Sequence, residues 1–170
     1  PTAGPRTLNG LIIELLETMP QGGATGYQRE YLLMAALLRK GDKEKAVEEG
    51  KALVARSGDD PAVRNLVAAV FAAAGQADNG REQLNAALKL KPNDPQTLLN
   101  LARLDLAEGK TVDAEASFRK LLEADPKNLL GTLGLAVAAS AQGNQKEAEK
   151  HLQKAVADHP ESVDAQLALA

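Results

Sequence analysis

The side chains best suited to move protons or hold a metal near neutral pH are scarce in this chain. It has two histidines, His151 and His159, and no cysteine. Imidazole is the common ligand for zinc and the usual acid–base group at physiological pH. His151 falls in a helical stretch and His159 immediately before Pro160, eight residues on, with no acidic partner shared between them in sequence. A metal site on one helix uses closer spacing, such as i and i+4, so the two are expected to be solvated surface residues. Paired carboxylates occur at Glu48-Glu49 and Asp59-Asp60. General acid–base chemistry needs a desolvated carboxylate, whereas Glu48-Glu49 lies among Lys45 and Lys51 and Asp59-Asp60 stands where a helix begins. A solvated face and a helix cap are the simpler readings. Ser57, Ser117, Ser140 and Ser162 lack the strand–turn–helix setting of a nucleophile elbow. Gly22, Gly23 and Gly26 cluster, but a phosphate-cradling loop follows a strand, and these read as a hinge. The expectation is no catalytic residue, no metal site and no cofactor.

What must position any functional residue is therefore a scaffold, and composition describes it. Hydrophobic residues make up 44% of 170, aromatic residues 2%, and Trp is absent. A core of Ala and Leu favours close-packed helices, because both are strong helix formers. Strict apolar–polar alternation is missing, so no sheet is expected. The net charge of -3 argues against sequence-independent nucleic-acid binding, which needs clustered Lys and Arg. No apolar run approaches the roughly 18 residues of a membrane span. No basic segment followed by an apolar stretch and a small-residue cleavage site opens the chain.

A period of 34 residues organises the sequence. Pro92, Pro126 and Pro160 share it, as do Gly41, Gly75, Gly109 and Gly143. Leu33, Val67, Leu101, Leu135 and Leu169 form a third column, and Ala46, Gly80, Ala114 and Ala148 a fourth. Each unit reads as two helices. Asp60-Pro61 and Asp94-Pro95 start first helices, Asp as cap and Pro in the first turn. The glycine column stops them in a left-handed conformation. The proline column ends the second helices. Asn144 and Glu147 have the spacing of a capping box. Four full units follow: residues 27–60, 61–94, 95–128 and 129–162. Residues 163–170 open a fifth, and residues 1–26 hold a partial unit plus a loop. In that partial unit Leu8, Leu11, Ile12, Leu15 and Leu16 form one apolar helical face. With Pro20 as its closing proline, this is a second helix, followed by a four-residue insertion at Gly23–Gly26.

These columns resemble the tetratricopeptide repeat, most fully in Leu98, Leu101, Ala102, Gly109, Ala114, Phe118 and Pro126. The family's aromatic positions are mostly Leu or Ala here. The resemblance implies an all-α fold, an α-α superhelix or solenoid of antiparallel helix hairpins with about ten helices. It also implies that first helices line a concave face. The columns on that face hold Gln28, Tyr31, Ala35 and Leu38; Asn65, Ala69 and Ala72; Gln96, Leu99, Asn100, Arg103 and Leu106; and Leu130, Leu133, Val137 and Ser140. This set is apolar, with a few amides and one Arg. The Lys, Arg and Asn set with which the family's chaperone-tail receptors clamp a carboxylate is missing. An apolar groove with sparse polar groups suits an amphipathic helix or extended peptide.

The stretches DPQTLLNLARLDLAEGKTVDAEASFRKLLEADPKN and LGLAVAASAQGNQKEAEKHL are similar to the Ala/Leu-rich tetratricopeptide lipoproteins of bacterial exopolysaccharide and PEP-CTERM sorting systems. That likeness implies a scaffold in the cell envelope or periplasm, with the cytoplasm open as the other location; the lipidated cysteine is not in this chain. Two functions stay open: a protein-interaction scaffold, and a tethering module for a catalytic domain elsewhere in a longer chain. The sequence begins within one unit and stops within another, so Leu11, Ile12, Leu15 and Leu16 at one end and Leu167 and Leu169 at the other are expected to lack partners. Self-association through those uncapped ends is the corresponding expectation.

Overall fold

The computed structural model describes residues 27–170. They form nine α-helices and no strand: α1 (Gln28–Lys40), α2 (Lys43–Ser57), α3 (Pro61–Ala73), α4 (Ala77–Leu90), α5 (Pro95–Ala107), α6 (Thr111–Ala124), α7 (Leu129–Ala141), α8 (Gln145–Asp158) and α9 (Val163–Leu169). The apolar face of residues 8–16 and the glycine hinge at 22–26 lie outside the described residues. The chain divides into two compact units, Pro1–Pro92 and Asn93–Ala170.

The helix ends follow from single residues. Gly41, Gly75, Gly109 and Gly143 have φ of 83°, 86°, 74° and 79°, the left-handed region that costs glycine no Cβ strain. At Gly75 the closing bonds run from Gly75 N–H to the Ala72 carbonyl at 3.0 Å and from Gln76 N–H to the Phe71 carbonyl at 2.8 Å. That pair of bonds satisfies two orphan carbonyls of α3. The Asp60 carboxylate accepts from Ala62 N–H at 2.8 Å. The Asp94 carboxylate accepts from both Thr97 N–H (3.0 Å) and the Thr97 hydroxyl (2.7 Å). Helices α4, α6 and α8 end two residues before Pro92, Pro126 and Pro160. The capping box expected at Asn144 and Glu147 is only half formed. Asn144 Oδ1 accepts from Glu147 N–H at 3.4 Å, but Asn144 N–H donates to the Ala139 carbonyl at 2.9 Å, while the Glu147 carboxylate faces His151 at 3.5 Å. The left-handed turn at Gly143 has already taken the donor that the box would use.

In the first unit α1 packs on α2, α3 on α4, and α3 also on α2 and α1. Met34, Val47, Leu53, Val63, Leu66, Val67, Val70 and Phe71 form its core, with Tyr27, Tyr31, Leu37, Leu38 and Val54 packed against it. Burying each large apolar side chain is worth about 1.5–3 kcal/mol. Every residue of α3 from Asn65 to Ala72 is buried, the pattern of a helix surrounded on all sides, and its alanines allow that close approach. Where the later repeats close on Pro92, Pro126 and Pro160, the repeat at residues 27–60 has Gly58, whose carbonyl accepts from Arg64 Nε at 2.6 Å while Arg64 Nη1 donates to Gln83 Oε1 at 2.7 Å.

In the second unit α5 packs on α6, α6 on α7, α7 on α8 and α8 on α9, and α5 also touches α7. Leu98, Leu104, Phe118, Leu121 and Leu135 are buried, with Ala102, Ala114, Ala136, Ala138, Ala148, Ala155 and Ala165 filling the close helix crossings. The end of α8 straps the α6–α7 turn: Lys154 Nζ donates to the Pro126 carbonyl at 3.3 Å and His159 Nε2 lies 2.5 Å from the Lys127 carbonyl.

Candidate partner-binding faces

First helices carry the face expected to bind, and each unit contains two of them in contact, α1 with α3 and α5 with α7. In the first unit Gln28 is exposed, Tyr31, Ala35 and Leu38 are half-buried, and Asn65, Ala69 and Ala72 are buried. Asn65 Nδ2 donates to the Pro61 carbonyl at 3.0 Å, so part of this amide is spent on its own helix. Little surface on α3 is left to meet a ligand.

The second unit differs. On α7, Leu130 and Val137 are 44% and 54% exposed; Leu133 is half-buried between them and Ser140 is exposed. Spacings of three, four and three residues put these four on one helical face. On α5, Leu99 and Asn100 are buried, and Gln96, Arg103 and Leu106 are half-buried. Gln96 Nε2 donates to Asn100 Oδ1 at 3.0 Å, which fixes the two amides one turn apart. The chemistry available is an apolar stripe next to a helix bearing a cation and an ordered amide pair.

The histidines are not the solvated surface residues expected. The His151 side chain is 14% exposed and the His159 side chain 26%. His151 is drawn in because α8 presents it toward α6. Burial holds its imidazole below the ordinary value, opposed by Glu147 and supported by Arg119. His159 is held by the Lys127 carbonyl. Around His151 runs a polar cluster that the sequence did not reveal. Glu115 accepts from Gln142 Nε2 at 3.0 Å and from Arg119 Nε and Nη2 at 3.0 and 2.6 Å. These bonds, Gln142's first, hold the Glu115 carboxyl below its usual range. The Arg119 pair has i,i+4 spacing and was legible in principle; Gln142 comes from a loop 27 residues on and was not. Asp105 was also missed, although the signal was present. It is buried in a column otherwise filled by Leu37, Phe71 and Ala139. Among the described residues no three His, Cys, Asp or Glu side chains lie where one metal ion could join them, and no helix is long and apolar enough to cross a membrane.

Two family models of the tetratricopeptide repeat match the sequence, one over residues 105–170 and one over residues 68–128. No curated protein matches. Among solved structures, the thermophilic TPR protein TTC0263 of Thermus thermophilus is similar at 21% identity, covering 94% of this chain and 89% of its own, with a TM-score of 0.69. MamA residues 41 to the end, from Desulfovibrio magneticus RS-1, is similar at 20% identity, covering 86% and 84%, with a TM-score of 0.66. YrrB, described as a TPR protein with an unusual peptide-binding site, is similar at 18% identity, covering 95% and 84%, with a TM-score of 0.67. At these identities the likeness concerns the fold.

Proposed function

Because this chain carries tetratricopeptide repeats through residues 68–170, we propose that it is a protein-interaction scaffold that holds a peptide or partner protein on its first helices. The repeat units are residues 27–60, 61–94, 95–128 and 129–162. The observation that carries the reading is the stripe on α7 in which Leu130 and Val137 are exposed with half-buried Leu133 between them, on a helix in contact with the one bearing Arg103. Exposed apolar surface of this kind marks contact sites, and Arg is well suited to an acidic or carbonyl-rich partner. The peptide site named for YrrB supports the same use of the fold. Gln96, Leu99, Asn100 and Leu106 complete the face in the second unit, with Gln28, Tyr31, Leu38, Asn65 and Ala69 their counterparts in the first.

The test is selection of peptides from a random display library on the immobilised protein, followed by titration against two variants. Val137→Glu and Arg103→Glu are each expected to weaken selected peptides at least ~10-fold, the equivalent of about 1.4 kcal/mol, with helical content by circular dichroism unchanged. Peptides that bind both variants as well as the parent would place the site elsewhere. Unfolding by Arg103→Glu would make that residue structural.

The finer reading is service to a bacterial envelope, exopolysaccharide or protein-sorting assembly; it rests on the Ala/Leu-rich stretches quoted above. A lipoprotein signal in the full-length gene would support it, and a catalytic domain in the same reading frame would favour the tethering role instead. Self-association through α9 is favoured by the exposure of Val163 and Leu167. Light scattering over a concentration series, with Leu167→Glu as control, tests it.

A further inference from the structure

The stripe on α7 is poor in hydrogen-bonding groups. Leu129–Ala141 contains no ionisable side chain, and Leu130, Leu133 and Val137 offer a ligand only hydrocarbon. The hydroxyl that ends the stripe, on Ser140, already accepts from Gln145 Nε2 at 3.4 Å. The carbonyls and amides of α7 are taken up along its own helix. On the neighbouring α5, Leu99 and Leu106 continue the apolar surface, and Gln96 and Asn100 are bonded to each other at 3.0 Å. Arg103 is the one charged side chain among the face residues of α5 and α7. A peptide bound in extended form points its N–H and C=O groups sideways along its whole length, toward flanks with almost nothing to pair with them. A backbone polar group buried without a partner costs as much as a lost hydrogen bond. A helix pairs its own main chain and presents only side chains.

We propose that the occupant of this face is an amphipathic α-helix and not an extended peptide, with apolar residues at i, i+3 or i+4, and i+7, and acidic residues on the edge toward α5. This rests on the scaffold function proposed above and narrows it. Leu130 to Ser140 spans ten residues, about 15 Å of helix at 1.5 Å per residue, so a ligand helix of about 14 residues covers it. Leu130 and Val137 stand out at 44% and 54% exposure, with half-buried Leu133 recessed between them. Two ridges with a dip between them receive one bulky side chain of a facing helix. The acidic edge follows from charge. Arg103 is half-buried in mostly apolar surroundings, where a carboxylate is favoured across the interface and a second cation is repelled.

Two synthetic peptides of about 14 residues and identical composition, made of Leu, Ala, Glu and Lys, decide between the two forms. One sets Leu at the helical period with Glu along one edge. The other sets the same residues in strict alternation. Binding to the whole chain is read by fluorescence anisotropy, and the bound peptide's conformation by the chemical shifts of a carbon-13-labelled copy. The helical-period peptide is expected to bind at least ~10-fold tighter, the difference that one unmet backbone group makes, and to be helical when bound. Equal affinities, tighter binding of the alternating peptide, binding without helix formation, or binding of neither would overturn the proposal. Val137→Glu, at an exposed position, separates that failure from failure of the scaffold function. An alternating peptide that prevails and is weakened by Val137→Glu leaves the face standing and removes the helix. Library-selected peptides indifferent to Val137→Glu remove the face itself. Replacing the peptide's Glu with Gln is expected to weaken it about 2–5-fold at low salt. High salt should erase that loss, and so should Arg103→Gln. A loss that survives either change, or no loss at all, would overturn the acidic edge.

Discussion

Two junctions between one hairpin and the next, α2 with α3 in the first unit and α6 with α7 in the second, allocate bulk in opposite ways. Gly50 and Phe118 occupy the same column of the repeat. In the first unit the second helix gives up its side chain there, and Phe71 of α3 fills the space, its Cε1 3.1 Å from where a Gly50 Cβ would be. In the second unit α6 supplies the ring, Phe118, and α7 gives way at Gly134, whose added Cβ would stand 2.6 Å from Phe118 Cδ1 and closer still to the rest of that edge. In both of these junctions one ring meets one glycine. Volume is conserved across the interface, not at a position, as expected where interiors are packed to crystal-like density. With aromatic residues at 2% of the chain, these two rings carry much of what the family spreads over several positions.

Removing the ring breaks the second junction most severely. Phe118 is buried, and α7 has a glycine opposite it that cannot refill the space. Phe118→Ala is expected to cost about 3–5 kcal/mol, read as a lower denaturation midpoint and faster amide exchange in α6 and α7. A loss under about 1 kcal/mol would mean the junction collapses around the hole.

The two glycines sharpen the comparison further, because the same substitution should act differently at each. Ala is a better helix former than Gly by about 1 kcal/mol, while overpacking costs about 1–3. At Gly134 the new methyl falls on a ring that is itself enclosed, so Gly134→Ala is expected to lose about 2 kcal/mol net. Pairing it with Phe118→Leu should recover part of that loss, a coupling that a double-mutant cycle measures. At Gly50 the neighbours are Phe71 Cε1 and Val67 Cγ1 at 3.1 and 3.2 Å, both side-chain atoms that need yield only tenths of an ångström. Gly50→Ala is expected within about 0.5 kcal/mol of the parent in either direction. Equal destabilisation at both glycines would show that the first junction is as rigid as the second.

Much of the frame was legible because it depends on single residues. The glycine column dictates left-handed turns whatever surrounds it, and Asp60 and Asp94 cap because their carboxylates reach amides two or three residues on. The junctions were not legible in the same way. Gly50 looks like a defect in a helix until Phe71, 21 residues later, is seen to need it. The capping box at Asn144 failed for a similar reason, since one donor was wanted by two motifs and the turn at Gly143 won. His151 and Glu115 owe their environment to Arg119 and Gln142, which the period does not bring together on paper. On the candidate faces, the period named which residues lie on first helices, but not that α3 is buried all round while α7 leaves Val137 in the open. That difference depends on what packs over each helix.

The smallest expected difference between the units is their response to acid. Both histidines of the chain lie in the second unit. Burial holds His151 below its ordinary value of 6.5, with Arg119 and Lys150 pushing the same way and Glu147 and Glu115 opposing. As the pH falls below about 6.5, the unfolded chain takes up a proton there before the folded one does, so stability falls through that window. The contribution is complete above the ordinary value and gone once the pH is below the folded one. Glu115 acts in the same direction at lower pH. Its carboxyl is held below the ordinary 4.5 by Gln142 and then Arg119, so what it contributes is present above that value and lost as the pH falls through the folded one. Amide exchange in α6, α7 and α8 should therefore quicken, relative to its intrinsic pH dependence, between about pH 7.5 and 5.5, while α2 and α3 stay level. His151→Gln should flatten the response in that range and leave the further drop near the carboxylate range, which Glu115→Gln should reduce, Asp158 being held below its ordinary value by Lys154 as well. An equal acid response in both units, or one that survives His151→Gln, would mean the proton binds elsewhere.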